Sequence, residues 1–154
     1  MNGWRNVARV SSPRNTVASL ILAAYYKLGN AAAEKRHPLP EQLDKIKAKD
    51  AATLLRDAEA ALRDRDQGRV CALVHRYGEL GHPPRPVFDL LLKYAVSEDG
   101  KLHAEKYYQA MSEEFAATRP AFRWRHLVAL ARVTTSEYGT PAPGYAEACR
   151  LLKV

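Results

Sequence analysis

Cysteine and methionine are nearly missing from this chain, with two of each among 154 residues. Cys71 and Cys149 stand far apart and form no CxxC pair, so no disulfide framework is expected. They read as reduced thiols of an intracellular, cytoplasmic protein. No apolar run reaches the roughly 20 residues a membrane span requires, and the chain is not expected to be transmembrane. P-loop, dinucleotide fingerprint, HExxH and GxSxG are all missing, so nothing calls for nucleotide, flavin or haem. Val, Ile and Thr are sparse, which disfavours sheet. No segment repeats at a fixed period.

Acidic side chains are missing from one end, since none occurs before Glu34. Over the whole chain 24 Lys and Arg face 17 Asp and Glu, a formal charge of +7. Residues 1–50 hold nine of those bases and four of the acids. Such a segment can be drawn to an anionic surface or an acidic partner protein. With no DNA- or RNA-reading motif beside it, nucleic acid is not expected as a partner. Arg5, Arg9 and Arg14 precede the apolar run VASLILAAYY, and AAA follows at 31–33, in the outline of a secretory signal. Lys27 interrupts that outline, and the run is about half a membrane span. The expectation is a soluble amphipathic helix.

What the chain has in abundance is Ala, Leu, Arg, Glu and Lys, and 47% apolar residues, enough for one helical domain with a real core. Ser12-Pro13 offers a cap and a first-turn proline, after which Val17, Leu20, Ile21, Ala24 and Leu28 trace one face. Pro40 is expected to open a short helix through EQLDKIKAK. Asp50 caps AATLLRDAEAALRD, with Leu54, Leu55, Ala58, Ala61 and Leu62 inward. RVCALVHRYGEL carries the stripe Val70, Leu73, Val74, Tyr77 and Leu80. GHPPRP breaks the chain before VFDLLLKYAV, which is apolar on two sides and therefore expected to be central. LHAEKYYQAMSEEFA, AFRWRHLVALARVTTSEY and YAEACRLLK follow. The sum is an all-α fold of about seven or eight helices in antiparallel hairpins, solenoid-like or an irregular bundle. Residues 1–154 read as one domain, with a basic amphipathic region at 1–36 and a helical-hairpin core at 50–154.

Chemistry has few places to sit. At about 100° per residue Cys71, His75, Glu79 and His82 share a stripe opposite the Val70 to Tyr77 face, with donors that suit a metal. The bland reading is a solvated polar face with a half-buried cysteine. In HAEK, His103 and Lys106 lie off the face formed by Ala104, Tyr107, Tyr108, Met111 and Phe115, so periodicity sends both to solvent. His126 shares the second apolar aspect of its helix with Leu130, Val133 and Glu137, and burial is expected for it. Arg123, Arg125 and Arg132 surround it and could bind anionic groups.

The stretch LHAEKYYQAMSEEFAATRPAFRWRHLVALARV resembles a segment of the questin oxidase-like family, all-helical oxygenases that open anthraquinone-type rings. In that family an aspartate-rich turn precedes a histidine, two residues, a lysine and a long helix, and a proline-marked helix follows. Here these are SEDG, His103, Lys106, the helix to Ala117 and PAFRWRHLVALARV, within about residues 70–135. The resemblance implies a non-haem iron held mainly by histidines, with a lysine near it. His103 and Lys106 match the motif, while His75, His82 and His126 are metal candidates by their place in the hairpin array. Open iron positions would activate dioxygen, with Tyr107 or Tyr108 shaping the pocket or donating a proton. Two functions therefore stand side by side. One is a helical-hairpin scaffold or accessory protein that binds a protein partner or its own copies. The other is an iron oxygenase acting on an aromatic or polyketide-like substrate.

Overall fold

The computed structural model describes residues 2–30, 37–96, 102–139 and 144–153; for residues 2–5, 26–30, 102, 103, 145 and 146 this is the backbone alone. The described residues form nine helices and no strand, the all-α fold the composition implies. The chain divides into two compact units, Met1–Arg36 and His37–Val154.

The first unit is a pair of helices, α1 (Asn2–Val10) and α2 (Pro13–Asn30). Periodicity had not singled out α1. Proline at the first position of α2 costs no hydrogen bond, and the Ser12 hydroxyl accepts from the Asn15 amide at 3.4 Å. The Thr16 hydroxyl donates to the Ala8 carbonyl at 2.9 Å and ties α2 to α1. The side of α2 that carries Thr16 also carries Ser19 and Ala23, and both of these are buried. Val17 and Ile21 lie round the helix from that side, with Leu20 at its border, and all three are exposed. Small residues are inside and large ones outside, the reverse of an ordinary amphipathic helix.

The second unit holds α3 (Pro40–Leu43), α4 (Ala51–Arg63), α5 (Gln67–Glu79), α6 (Arg85–Ala95), α7 (Leu102–Ala117), α8 (Pro120–Glu137) and α9 (Tyr145–Leu152). Helix α3 stops after four residues and does not run through EQLDKIKAK as expected. The reason is legible in Lys45-Ile46-Lys47-Ala48-Lys49. Ile46 is buried, Ala48 is half-buried and the three lysines are exposed, a period of two that suits an extended segment. Ile46 thereby joins the main core.

Caps fix the next two helices. The Thr53 amide donates to Asp50 Oδ1 at 2.8 Å and opens α4, as expected from the sequence. The Arg69 amide donates to Asp66 Oδ1 at 2.9 Å and opens α5. Between them Arg65 takes φ 57°, a left-handed conformation that completes the reversal.

Helix α5 is the centre of the unit. Val70, Cys71, Ala72, Leu73, Val74 and Tyr77 are all buried, and α4 and α8 pack against it. The expectation that α6 is central is corrected here. Its first aspect, Val87, Leu91, Tyr94 and Ala95, is buried, whereas Leu92 and Val96 stand exposed. What distinguishes α5 is small residues beside its large ones. Gly78 lets Trp124 of α8 so close that a Cβ there would lie 2.1 Å from the indole. The Trp124 indole N–H then donates to the Val74 carbonyl at 2.6 Å. Two neighbours can press on a helix whose side chains are short on one side, and this is what α6 lacks.

Helix α7 packs as its stripe requires, with Ala104 buried and Tyr107, Tyr108, Met111 and Phe115 half-buried against the core. Phe88 of α6 meets Tyr108 and Phe115 edge-on, with ring centroids 6.0 and 5.2 Å apart. Helix α8 buries Leu127, Val128, Leu130, Ala131, Thr134 and Thr135. Among the described residues no helix is long and apolar enough to cross a membrane.

Candidate functional site

Among the described side chains His75, His82 and His126 do not form one site. Nε2 of His75 stands 3.6 Å from Glu79 Oε1, one turn along α5. Arg76 also holds this glutamate, Nη1 to Oε2 at 3.0 Å. His82 has left the helix at the left-handed Gly81, and its Nε2 lies 2.9 Å from the Lys49 carbonyl. A carbonyl only accepts, so that nitrogen carries the proton and fastens the extended segment 44–49 to the end of α5. The ring of His82 also rests on Tyr77, with centroids 4.8 Å apart. His126 is half-buried and not fully buried, with Nε2 2.9 Å from the Thr118 hydroxyl. Lys106 is exposed, as periodicity requires. His103 lies in the backbone of α7, and its side chain is outside the described residues. Among the described residues no three His, Cys, Asp or Glu side chains gather closely enough to hold a metal ion. The SEDG turn of the family resemblance, residues 97–100, also lies outside the described residues.

Cys71 corrects a second expectation. It was placed on a polar stripe, half-buried beside His75, and is instead fully buried in the core. Its Sγ lies 3.6 Å from the Val128 carbonyl. Burial pushes its thiol up to about 12, only partly opposed by Arg132, so the metal-binding thiolate is strongly disfavoured. A free cysteine behaves as a small apolar side chain, which is why Cys71 joins the core and not the polar stripe.

Sequence reasoning missed a polar cluster between α4 and α6. Oε1 of Glu59 on α4 accepts from Tyr94 Oη at 2.6 Å, Lys93 Nζ at 2.9 Å and Arg63 Nη2 at 3.1 Å. The Tyr94 hydroxyl in turn accepts from Arg63 Nε at 2.7 Å. The Tyr94 hydrogen bond, then that of Lys93, holds the Glu59 carboxyl below the usual range. Burial and then Glu59 itself raise the phenol of Tyr94, so it stays protonated and is no nucleophile. The cluster joins α4 to α6; its visible signal was Glu59 and Arg63 at i, i+4.

A cleft of about 390 Å³ opens where the segment 44–49 crosses α4 and α5. Lys45, Lys47 and Arg69 line it together with Asp57 and Asp66, around Ile46 and Leu73. Both charge signs meet there, and Asp66 is already engaged as the cap of α5.

The remaining feature is the first unit. Among the described residues, seven of the thirteen exposed large apolar side chains fall in residues 7–25: Val7, Val10, Val17, Leu20, Ile21, Leu22 and Tyr25. Scattered single exposures are what a solvated face normally shows, and these are gathered on two adjacent helices. On α2 the exposure is 57% for Val17, 55% for Leu20, 63% for Ile21 and 73% for Tyr25. These four, with Ala24, form one arc of the helix, and exposed Arg14 stands at its N-terminal end in line with Val17 and Ile21.

Comparison with protein-family models, with curated proteins and with solved structures finds no match for this chain.

Proposed function

We propose that this chain is a helical scaffold that binds a partner through the outward apolar face of its first unit. The observation that carries the reading is the inversion of α2, with Ser19 and Ala23 buried and Val17, Leu20, Ile21 and Tyr25 in solvent. Exposing that stripe is unfavourable by about 25 cal/mol for each Å² of apolar surface, so an occupant that covers it gains the corresponding free energy. The second unit has a core of its own, closed around α5.

The experiment reads accessibility of the face in the whole protein. The full chain should enhance the fluorescence of an apolar-surface dye while keeping a cooperative thermal transition. Leu20→Gln/Ile21→Gln should lose most of that signal with an unchanged transition. Equal dye signals from the two proteins would show the face to be covered already, and the reading would fail.

A further inference from the structure

The geometry points to an anionic phospholipid surface as what covers the outward face of α2, an inference that rests on the binding role just proposed. Three features choose lipid over a protein groove.

The first is shape and composition. The exposed arc is aliphatic, Val17, Leu20, Ala24 and Ile21, with one aromatic, Tyr25, at its C-terminal end. Protein hot spots favour Trp, Tyr and Arg and are poor in Leu and Val, whereas lipid insertion depends simply on apolar area. A single convex helix face gives such area without the pocket a protein anchor requires.

The second is charge. Residues 1–33 contain Arg5, Arg9, Arg14 and Lys27 and no acid. Arg9 and Arg14 are both exposed, and Arg14 adjoins the apolar arc. A segment with cations and no acid is drawn to a negative membrane surface, where each basic residue near the headgroups adds to binding.

The third is depth. From Val17 to Tyr25 the stripe extends about 12 Å at about 1.5 Å per residue, too short to span and long enough to lie in the headgroup boundary. Tyrosine at one end of an apolar stripe suits that boundary, where its ring is covered and its hydroxyl stays wet.

The test is sedimentation of the full chain with vesicles of phosphatidylcholine alone and of phosphatidylcholine with about one-third phosphatidylglycerol. The chain should bind the mixed vesicles and bind the neutral ones at least about tenfold more weakly. Leu20→Gln/Ile21→Gln should abolish sedimentation with both. Arg9→Gln/Arg14→Gln changes two exposed side chains and should weaken binding to the mixed vesicles by about thirtyfold, leaving neutral vesicles unaffected. Circular dichroism of each variant checks that the helices remain.

Binding to mixed vesicles that survives Leu20→Gln/Ile21→Gln would reduce the effect to the general +7 charge of the chain and overturn the inference. No vesicle binding, with the apolar dye still reporting an open face, overturns the lipid assignment alone. The binding role then stands, with an acidic protein as the occupant. Loss of both signals removes the two together.

Discussion

Trp124 lies across Gly78, and its indole nitrogen reaches past that glycine to the carbonyl of Val74, 2.6 Å away. The contact sets how near α8 comes to α5, and α5 is the helix around which the second unit is built. Gly78→Ala adds one carbon where the indole already sits. Alanine would favour the helix by about 1 kcal/mol in an exposed position. Here overpacking should win, with a net loss of about 1–3 kcal/mol in urea unfolding. A variant as stable as the wild type would mean that the two helices can part slightly at no cost.

Glu59 supplies a pH dependence of known sign. Its folded carboxyl titrates below its ordinary value, chiefly through the Tyr94 hydrogen bond. Its contribution is therefore fully present above the unfolded value of about 4.3 and is lost as pH falls through the depressed folded value. Glu59→Gln should cost about 1 kcal/mol at neutral pH, since the site is partly solvated. That difference from wild type should shrink toward zero in acid. Tyr94→Phe should reduce the same pH-dependent difference, because it removes the largest cause of the shift. Denaturant midpoints of the three proteins across pH 3–7 decide it, and parallel curves would refute the assignment.

The two thiols should separate cleanly. Cys71 is buried and its thiol is raised to about 12, whereas Cys149 on α9 is partly exposed. An aromatic disulfide reagent at mildly alkaline pH should label one cysteine per native chain rapidly. The second should react only after unfolding. Cys149→Ser should leave almost no fast labelling; if fast labelling persists, Cys71 is reached in the native protein.

The oxygenase alternative has its own measurement. A scaffold of the kind proposed should carry far less than one iron per chain when purified without an affinity tag. Stoichiometric iron, lost in His103→Ala, would favour the oxygenase instead. His82→Ala should act differently, by freeing the segment 44–49 from α5. A loss of about 1 kcal/mol of stability and faster amide exchange near Lys49 would report the broken hydrogen bond.

The contrast between what could and could not be read from residues has a physical pattern. Features set by neighbours in sequence were legible: the Asp50 cap, Pro13 at the start of α2, the stripe of α7. Features set by approach across the fold were not. Two apolar aspects made α6 look central, but centrality went to α5, where Gly78 admits Trp124. A count at about 100° per residue puts Cys71 with the histidines, while its small apolar sulfur belongs with Val128. The alternation in Lys45-Ile46-Lys47-Ala48-Lys49 did announce an extended segment; a helix start at Pro40 hid it. For α2 the stripe was visible in the letters, and which side of it faced water was not, because that depended on Thr16 finding the Ala8 carbonyl.

The way Trp124 closes on Gly78 also limits how such a protein can diversify. With an indole wedged against bare backbone, α5 and α8 cannot be drawn apart at this point without dismantling their seam. New specificities are then most cheaply acquired at the periphery, where side chains can be exchanged while the middle is left untouched.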